Sequence, residues 1–169
     1  MKGIPFALFI LCIFFSCSAQ TEQQQEYLRW IGDIAHDPKV DEVDFEICGS
    51  DSMVYQYFSL THEDHIKEEK PYIEDYFLKN YNSVNLDQSG WIRIRFIVNC
   101  KGEAGRFRMT ESDENYKERP FDQKISDQLL SLTKSLDAWN GFETAEQPID
   151  YYQYLVFKIH QGRIEEILP

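Results

Sequence analysis

The chain has 169 residues and a net charge of −12, because 29 acidic residues outnumber 17 basic ones. This length favours one domain with short appendages. An acidic chain is repelled by nucleic acid and by anionic membrane surfaces, so we expect neither as a partner. Aromatic residues make up 15% of the chain, which argues against a disordered protein.

The first residues are typical of a secretory signal, because Lys2 precedes a nearly unbroken apolar run (4–15) that is too short to span a bilayer. Two cleavage positions fit. Cys17-Ser18-Ala19 is a small-x-small site that gives a signal peptide of residues 1–19. Alternatively, Phe14-Phe15-Ser16-Cys17 resembles a loose bacterial lipobox, which implies a signal of residues 1–16 and a lipid on Cys17. We therefore expect an exported protein, either periplasmic or anchored to the outer membrane as a lipoprotein.

Residues 20–40 predict a polar linker followed by a short amphipathic helix that Pro38 ends. The apolar residues of this helix recur at helical spacing: Tyr27, Leu28, Trp30, Ile31 and Ile34. A single α+β domain is expected over residues 41–169.

The domain is predicted to begin with an N-terminal hairpin and a helix. Residues 42–48 alternate apolar and acidic side chains, and 53–60 is a second strand-like run after a turn. A charged loop follows. Pro71 then suits the first turn of a helix, whose apolar stripe consists of Ile73, Tyr76, Phe77 and Tyr81.

Cys48 and Cys100 are the two cysteines expected to remain after export. Each lies at the end of a strand-like run beside a turn, and an exported protein meets an oxidising environment. This predicts a Cys48–Cys100 disulfide, with two separate buried thiols as the alternative. We expect no metal site, because neither cysteine has a second ligand at metal spacing.

The second half of the chain predicts two strands, a helix and a final strand. The first two strands alternate apolar and polar residues around a turn at Gly102, as half-buried antiparallel strands do. Asp122 suits the N-cap of the helix. This order predicts a two-layer α+β fold, in which one helix lies across an antiparallel ββαβ sheet. The elements are strands 90–99 and 105–111, a helix over 121–136 and a strand over 149–159.

Four arginines lie on the polar face of the first two strands. We interpret this face as solvated and paired with acidic neighbours. The four are Arg93, Arg95, Arg106 and Arg108.

Over about residues 72–159 the chain resembles the TonB C-terminal domain family, in the stand-alone exported form found in Bacteroidetes-type bacteria. The matching pieces are strand 90–99 with its Lys101-Gly102 turn, the return 105–111, the leucine-bearing helix that runs into Trp139, and Pro148-Ile149-Asp150-Tyr151-Tyr152 with the strand that follows. Domains of this family accept a short extended peptide beside the last strand, which is β-augmentation. By position, the resemblance implies a partner-binding edge of Tyr151, Tyr152, Gln153, Tyr154, Leu155 and Val156. The alternative is that these are simply residues that strands prefer.

Two features depart from the energy transducers of that family. The sequence shows neither their uncleaved membrane anchor nor their Pro-rich spacer, since its six prolines are scattered. In addition, Gln161-Gly162 predicts a hairpin turn, after which the 163–168 tail would return along the 149–159 strand and cap the docking edge.

The function expected from these features is a non-enzymatic envelope interaction module, accessory to outer-membrane transport. One alternative is direct binding of TonB-dependent transporter peptides by β-augmentation on the 149–159 strand. A second, of another class, is a small-ligand-binding or enzymatic domain on the same scaffold. The expected partners are envelope proteins, with an outer-membrane transporter among the candidates, and a membrane is contacted only through a lipid on Cys17. The sequence does not predict the oligomeric state.

We predict no catalytic residue, cofactor or metal ligand. The histidine-rich stretch His62-Glu63-Asp64-His65 lacks the histidine spacing of zinc-protease helices and has no evident third ligand, so it is interpreted as a solvated loop. Gly-x-Ser-x-Gly and phosphate-binding glycine loops are absent from the sequence.

Overall fold

Two helices and a mostly antiparallel sheet make up the described part of the computed structural model, which comprises residues 32–57, 60, 70–143 and 147–168. This is the α+β class that the sequence predicts. After a single turn of 3-10 helix at Asp51–Met53, the elements are β1 (Tyr55–Gln56), α1 (Lys70–Asn80), β2 (Gly90–Val98), β3 (Ala104–Asp113), α2 (Gln123–Ser135), β4 (Phe142–Glu143), β5 (Pro148–Ile149), β6 (Tyr151–His160) and β7 (Arg163–Leu168).

The main sheet is built around β2, which pairs antiparallel with β3 on one side and with β6 on the other. β1 and β7 both lie on the far side of β6, β1 parallel and β7 antiparallel to it. A register shift between Arg95 and Ile97 marks a bulge in β3 that includes Arg106, whose φ is 53°. β4 and β5 form a separate two-residue hairpin between α2 and β6.

Both helices pack on one face of this sheet, which we call the helix-side face. Alternation along β2 directs Ile92, Ile94, Phe96 and Val98 into this core. Phe77 of α1 is fully buried, and its ring lies 4.8 Å from that of Phe157. The Asp122 side chain accepts a hydrogen bond from the Lys124 N–H, so the predicted N-cap of α2 is confirmed.

The opposite face of the sheet, which we call the second face, is covered by residues 32–54, here named the cover segment. This segment has no regular structure beyond the 3-10 turn. Its Ile34 packs with Ile97 and Tyr152, and Phe45 and Ile47 lie against the same cluster. A Cβ built on Gly105 would come within 2.1 Å of the Phe45 ring, so a glycine there makes room for the segment.

The arginines of the second face are therefore mostly buried, which corrects the prediction of a solvated face. Arg95, Arg106 and Arg108 donate hydrogen bonds to the backbone carbonyls of Gly32, Ile34 and Ala35, respectively. Arg106 and Arg108 do contact acidic residues, Asp51 and Asp41, but these belong to the cover segment and not to the neighbouring strands that the prediction assumed. The cover segment supplies the carbonyl groups, and no strand pattern indicates them.

The predicted N-terminal hairpin is wrong. Residues 42–48 form no strand, and Tyr55–Gln56 pairs with β6 instead. Of the three apolar residues in this alternation, Phe45 and Ile47 face the sheet, whereas Val43 is 92% exposed. One-sided burial of an irregular segment thus produces the same pattern as a half-buried strand.

The predicted N-terminal features fall mostly outside the described residues. The signal peptide and Cys17 lie there, and so does most of the amphipathic helix predicted to end at Pro38. Residues 32–34 of that helix are described and are not helical, with Gly32 at a φ of 123°. Among the described residues, no helix is long and apolar enough to cross a membrane.

Candidate functional site

The six residues predicted to form a binding edge lie at the start of β6. The inner edge of this strand is fully used, because β2 pairs with it from Val98 opposite Tyr151 to Gly90 opposite Ile159. Any added peptide would therefore have to pair with the outer edge. That outer edge is shared by two segments of the same chain.

The C-terminal half of the outer edge is covered by β7, so the predicted return of the tail is confirmed. β7 pairs with β6 from His160 opposite Arg163 to Val156 opposite Leu168. The connecting residues Gln161 and Gly162 have φ values of 49° and 72°, as a two-residue turn of the mirror-image type requires. Ile167 is 4% exposed and joins the helix-side core, which holds the tail in place.

The N-terminal end of the outer edge is covered by β1. Tyr55 and Gln56 pair in parallel with Tyr151 and Tyr152. This pairing begins at a hydrogen bond of 2.9 Å from the Tyr55 N–H to the Asp150 carbonyl. β1 contributes only two pairs, so it is much the smaller of the two covers.

The register shows how little of the edge remains between these strands. His160 and Arg163 flank a two-residue turn, so the backbone N–H and C=O groups of His160 point toward β7. Because these groups alternate in direction along a strand, those of every second residue before His160 also point to the outer edge. Tyr152 meets β1 and Val156 meets β7. Of the residues with outward backbone groups, Tyr154 alone is paired with no strand in the described part of the chain.

The Tyr154 side chain is also engaged by the chain itself. Its hydroxyl lies 3.1 Å from the Tyr57 hydroxyl, and the two rings meet edge to face at 5.3 Å between centroids. Burial, and secondarily the hydrogen bond to Tyr154, raises the pKa of Tyr57 to about 12. Tyr57, the residue after β1, therefore extends the covered part of the outer edge of β6 to Tyr154.

β7 leaves an outer edge of its own, and this edge has several features that discourage pairing. The strand is six residues long, and its register to β6 shifts between Lys158 and Ile159. Glu165 and Glu166 are exposed on it, and Glu165 lies 3.2 Å from the Lys158 ammonium. Short length, a bulge and charged side chains are the usual protection of edge strands.

Asp150, immediately before β6, holds the cover in place and was not predicted as a functional residue. It is 2% exposed, and its carboxylate accepts hydrogen bonds from the backbone N–H groups of Cys48 (3.0 Å), Gly49 (2.7 Å) and Cys100 (3.1 Å). A carboxylate among the aromatic residues of a strand is the sequence signal that could have indicated it, because a buried charge needs partners.

Cys48 and Cys100 lie at disulfide distance, with Cα atoms 5.9 Å apart, as the predicted pairing requires. The pair joins the cover segment to the turn that follows β2. It lies beside the Asp150 carboxylate, which binds the N–H groups of both cysteines.

Gln153 is a second residue whose environment the sequence did not indicate. It lies opposite Phe96 on the helix-side face, between Tyr151 and Leu155, and is 1% exposed. Neither its amide nitrogen nor its amide oxygen has a hydrogen-bond partner among the residues that the structure describes. Burial of an amide that lacks a hydrogen-bond partner is unfavourable.

Sites for metals or anions are not evident in the described ranges. They contain no group of three or more His, Cys, Asp or Glu residues placed to hold a metal ion. The His62–His65 stretch lies outside the described residues. A cleft beside residues 33–38 reaches Arg95 and Arg108, but Gly32 and Asp41 already engage these guanidinium groups.

Compared with family models, with curated proteins and with solved structures, the chain matches none of them. The resemblance to the TonB C-terminal domain therefore stays a prediction based on the order and spacing of the elements.

Proposed function

We propose that this chain is a non-enzymatic interaction module of the TonB C-terminal type, exported to the cell envelope and accessory to outer-membrane transport. The observation that supports this proposal is the self-pairing of β6. The edge that the resemblance implies for peptide docking lies on β6, and β1 and β7 occupy most of the outer edge of that strand. The module would therefore bind its partner either after this edge is uncovered or through another surface.

The main test is deletion of residues 161–169, which removes β7 and should open the outer edge from Val156 to His160. We expect the deletion variant to self-associate or to bind a fluorescent peptide that copies residues 162–169, while the full-length chain does neither. Analytical ultracentrifugation and fluorescence anisotropy measure the two outcomes.

A double variant, Glu165→Gln and Glu166→Gln, is the matched control, because it changes the exposed side chains of β7 and keeps its backbone pairing. It should behave as the full-length chain does. Since Ile167 is buried, circular dichroism must first show that the deletion variant folds. A folded deletion variant that stays monomeric and does not bind the peptide contradicts the proposal.

A second candidate function is direct docking of transporter peptides on β6. It is favoured by the outward backbone groups of Tyr154, which no described strand pairs. Affinity capture from an envelope extract with the full-length chain separates the two. Recovery of an outer-membrane transporter supports direct docking, and recovery of a different envelope protein supports the leading proposal.

A further inference from the structure

Three attachments of the 48–57 region converge at one point, the start of β6. The Cys48–Cys100 bond is the first. The second is the Asp150 carboxylate, which binds the N–H groups of Cys48 and Gly49. The third is the Asp150 carbonyl, which accepts from the Tyr55 N–H and begins the β1–β6 pairing. The disulfide that cross-links this region to the turn after β2 thus lies where β1 begins to pair.

The two covers of β6 differ in what holds them. β7 has five paired positions and a buried Ile167, and it follows β6 after a two-residue turn. β1 has two paired positions, and its residues are half-buried. A two-residue strand has little stability of its own, so its position depends on the attachments beside it.

We propose that the Cys48–Cys100 disulfide is a redox latch on β1, which on reduction exposes the outer edge of β6 over residues 151–155 while β7 stays in place. The inference rests on the proposed function, because it names how the capped edge becomes available. The reductant is a dithiol. It transfers two electrons and two protons to the bond, which gives two cysteine thiols and an oxidised, cyclic disulfide of the reductant.

Loss of the bond acts on β1 because the latch restricts a long stretch of chain. The cysteines are separated by 52 residues in sequence, and the bond keeps Cys48 beside Cys100 even when the hydrogen bonds around Asp150 open. Without it, the contacts that still hold β1 include the Asp150 hydrogen bonds, the two strand pairs and the Tyr57–Tyr154 contact. The Gln147 amide also donates a hydrogen bond of 2.8 Å to the Tyr55 hydroxyl, and the Tyr55 ring packs against the helix-side core. These are individually weak in water.

The opened edge fits an extended peptide with an aromatic side chain. The backbone groups of Tyr152 and Tyr154 would pair with the peptide in place of β1. The Tyr154 ring, left by Tyr57, would then receive an aromatic side chain of the peptide at the same edge-to-face distance of about 5 Å.

Amide hydrogen exchange of the full-length chain, disulfide-bonded against dithiol-reduced, tests the latch directly. We expect the Tyr55 and Tyr152 amides to exchange at least about tenfold faster after reduction, because both bond across the β1–β6 pair. The Lys158 amide, which faces β7 on the same strand, is the internal control and should not change. Unchanged exchange at Tyr152 overturns the proposal, as does an equal increase at Tyr152 and Lys158.

A double variant, Cys48→Ser and Cys100→Ser, should reproduce the exchange pattern of the reduced chain without any reductant. If it does not fold, reduction followed by alkylation of the folded wild-type chain replaces it. The docking probe is a peptide that copies residues 53–58, and we expect its Kd to be at least about tenfold lower for the reduced chain than for the oxidised chain. If reduction opens the β1–β6 pair but the peptide does not bind, the latch proposal is supported and the proposed docking function is contradicted.

Discussion

The two faces of the main sheet are covered in different ways. On the helix-side face, α1 and α2 bury apolar side chains against β2 and β6. On the second face, an irregular cover segment lies across buried arginines, and its carbonyl groups accept their hydrogen bonds. The first arrangement follows from hydrophobic periodicity. The second depends on where a distant part of the chain lies, so only one of the two coverings has a signature in the local sequence.

The largest expected effect compares one phenylalanine from each covering. Phe77→Ala on the helix-side face should lower the free energy of unfolding by about 3–5 kcal/mol, because its fully buried ring leaves a cavity. Phe45→Ala in the cover segment should cost only about 1–2 kcal/mol, because that ring is half-buried. Urea denaturation of both variants measures the difference. Equal losses would mean that the cover segment is part of the main core.

The second prediction concerns acidification, which should weaken the covering of the second face before that of the helix-side face. A hydrogen bond from Arg108 lowers the pKa of Asp41 from 3.8 to about 2, and the Asp41 side chain is 1% exposed. Because the folded pKa is the lower one, this pairing contributes on the order of 2 kcal/mol above pH 4. The contribution is lost as the pH falls toward 2.

The measurement is the unfolding free energy between pH 5 and pH 2, for the native chain and for Asp41→Asn. We expect the variant to be less stable at pH 5 and to lose less stability on acidification, since it has no carboxylate at this position. Parallel pH curves for the two proteins would show that the Asp41–Arg108 pair does not anchor the cover segment.

The smallest effect is a gain in stability on the helix-side face. Gln153→Leu should raise the free energy of unfolding by about 1 kcal/mol, because it removes a buried amide for which the described part of the chain offers no hydrogen-bond partner. Gln153→Glu is the matched control and should destabilise the fold, since it places a carboxyl in the same apolar surroundings. Thermal denaturation of both variants checks the prediction. A destabilised Leu variant would indicate that the amide is bonded in solution, to water or to a ligand.

The ends of β2, β3, α2 and β6 could be predicted to within two residues because each has a clear local signal. Alternation defines the strands, Asp122 begins α2, and Gln161-Gly162 directs the tail back along β6. The N-terminal hairpin was mispredicted because alternation does not distinguish a strand from an irregular segment that is buried on one side.

The sequence predicted a strand over residues 151–156 but not how its outer edge is covered. Residues 151–156 do form a strand at the side of the sheet, and β7 was expected beside it. The cover by β1 was not expected, because a parallel pair between residues so far apart in sequence leaves no local pattern. The environments of Asp150 and Gln153 were not predicted for the same reason. Residues distant in sequence bind the Asp150 carboxylate, and residues distant in sequence enclose the Gln153 amide.

The sequence by itself determined the α+β class, the central strands and helices, the pairing of Cys48 with Cys100 and the return of the tail, because these follow from periodicity, turn chemistry and an even pair of cysteines. Only the tertiary structure decided that the second face is covered by an irregular segment, and that β1 and β7 leave Tyr154 alone between them among the described residues. Backbone hydrogen bonds carry no side-chain signature, so which edge stays open is settled by the fold as a whole.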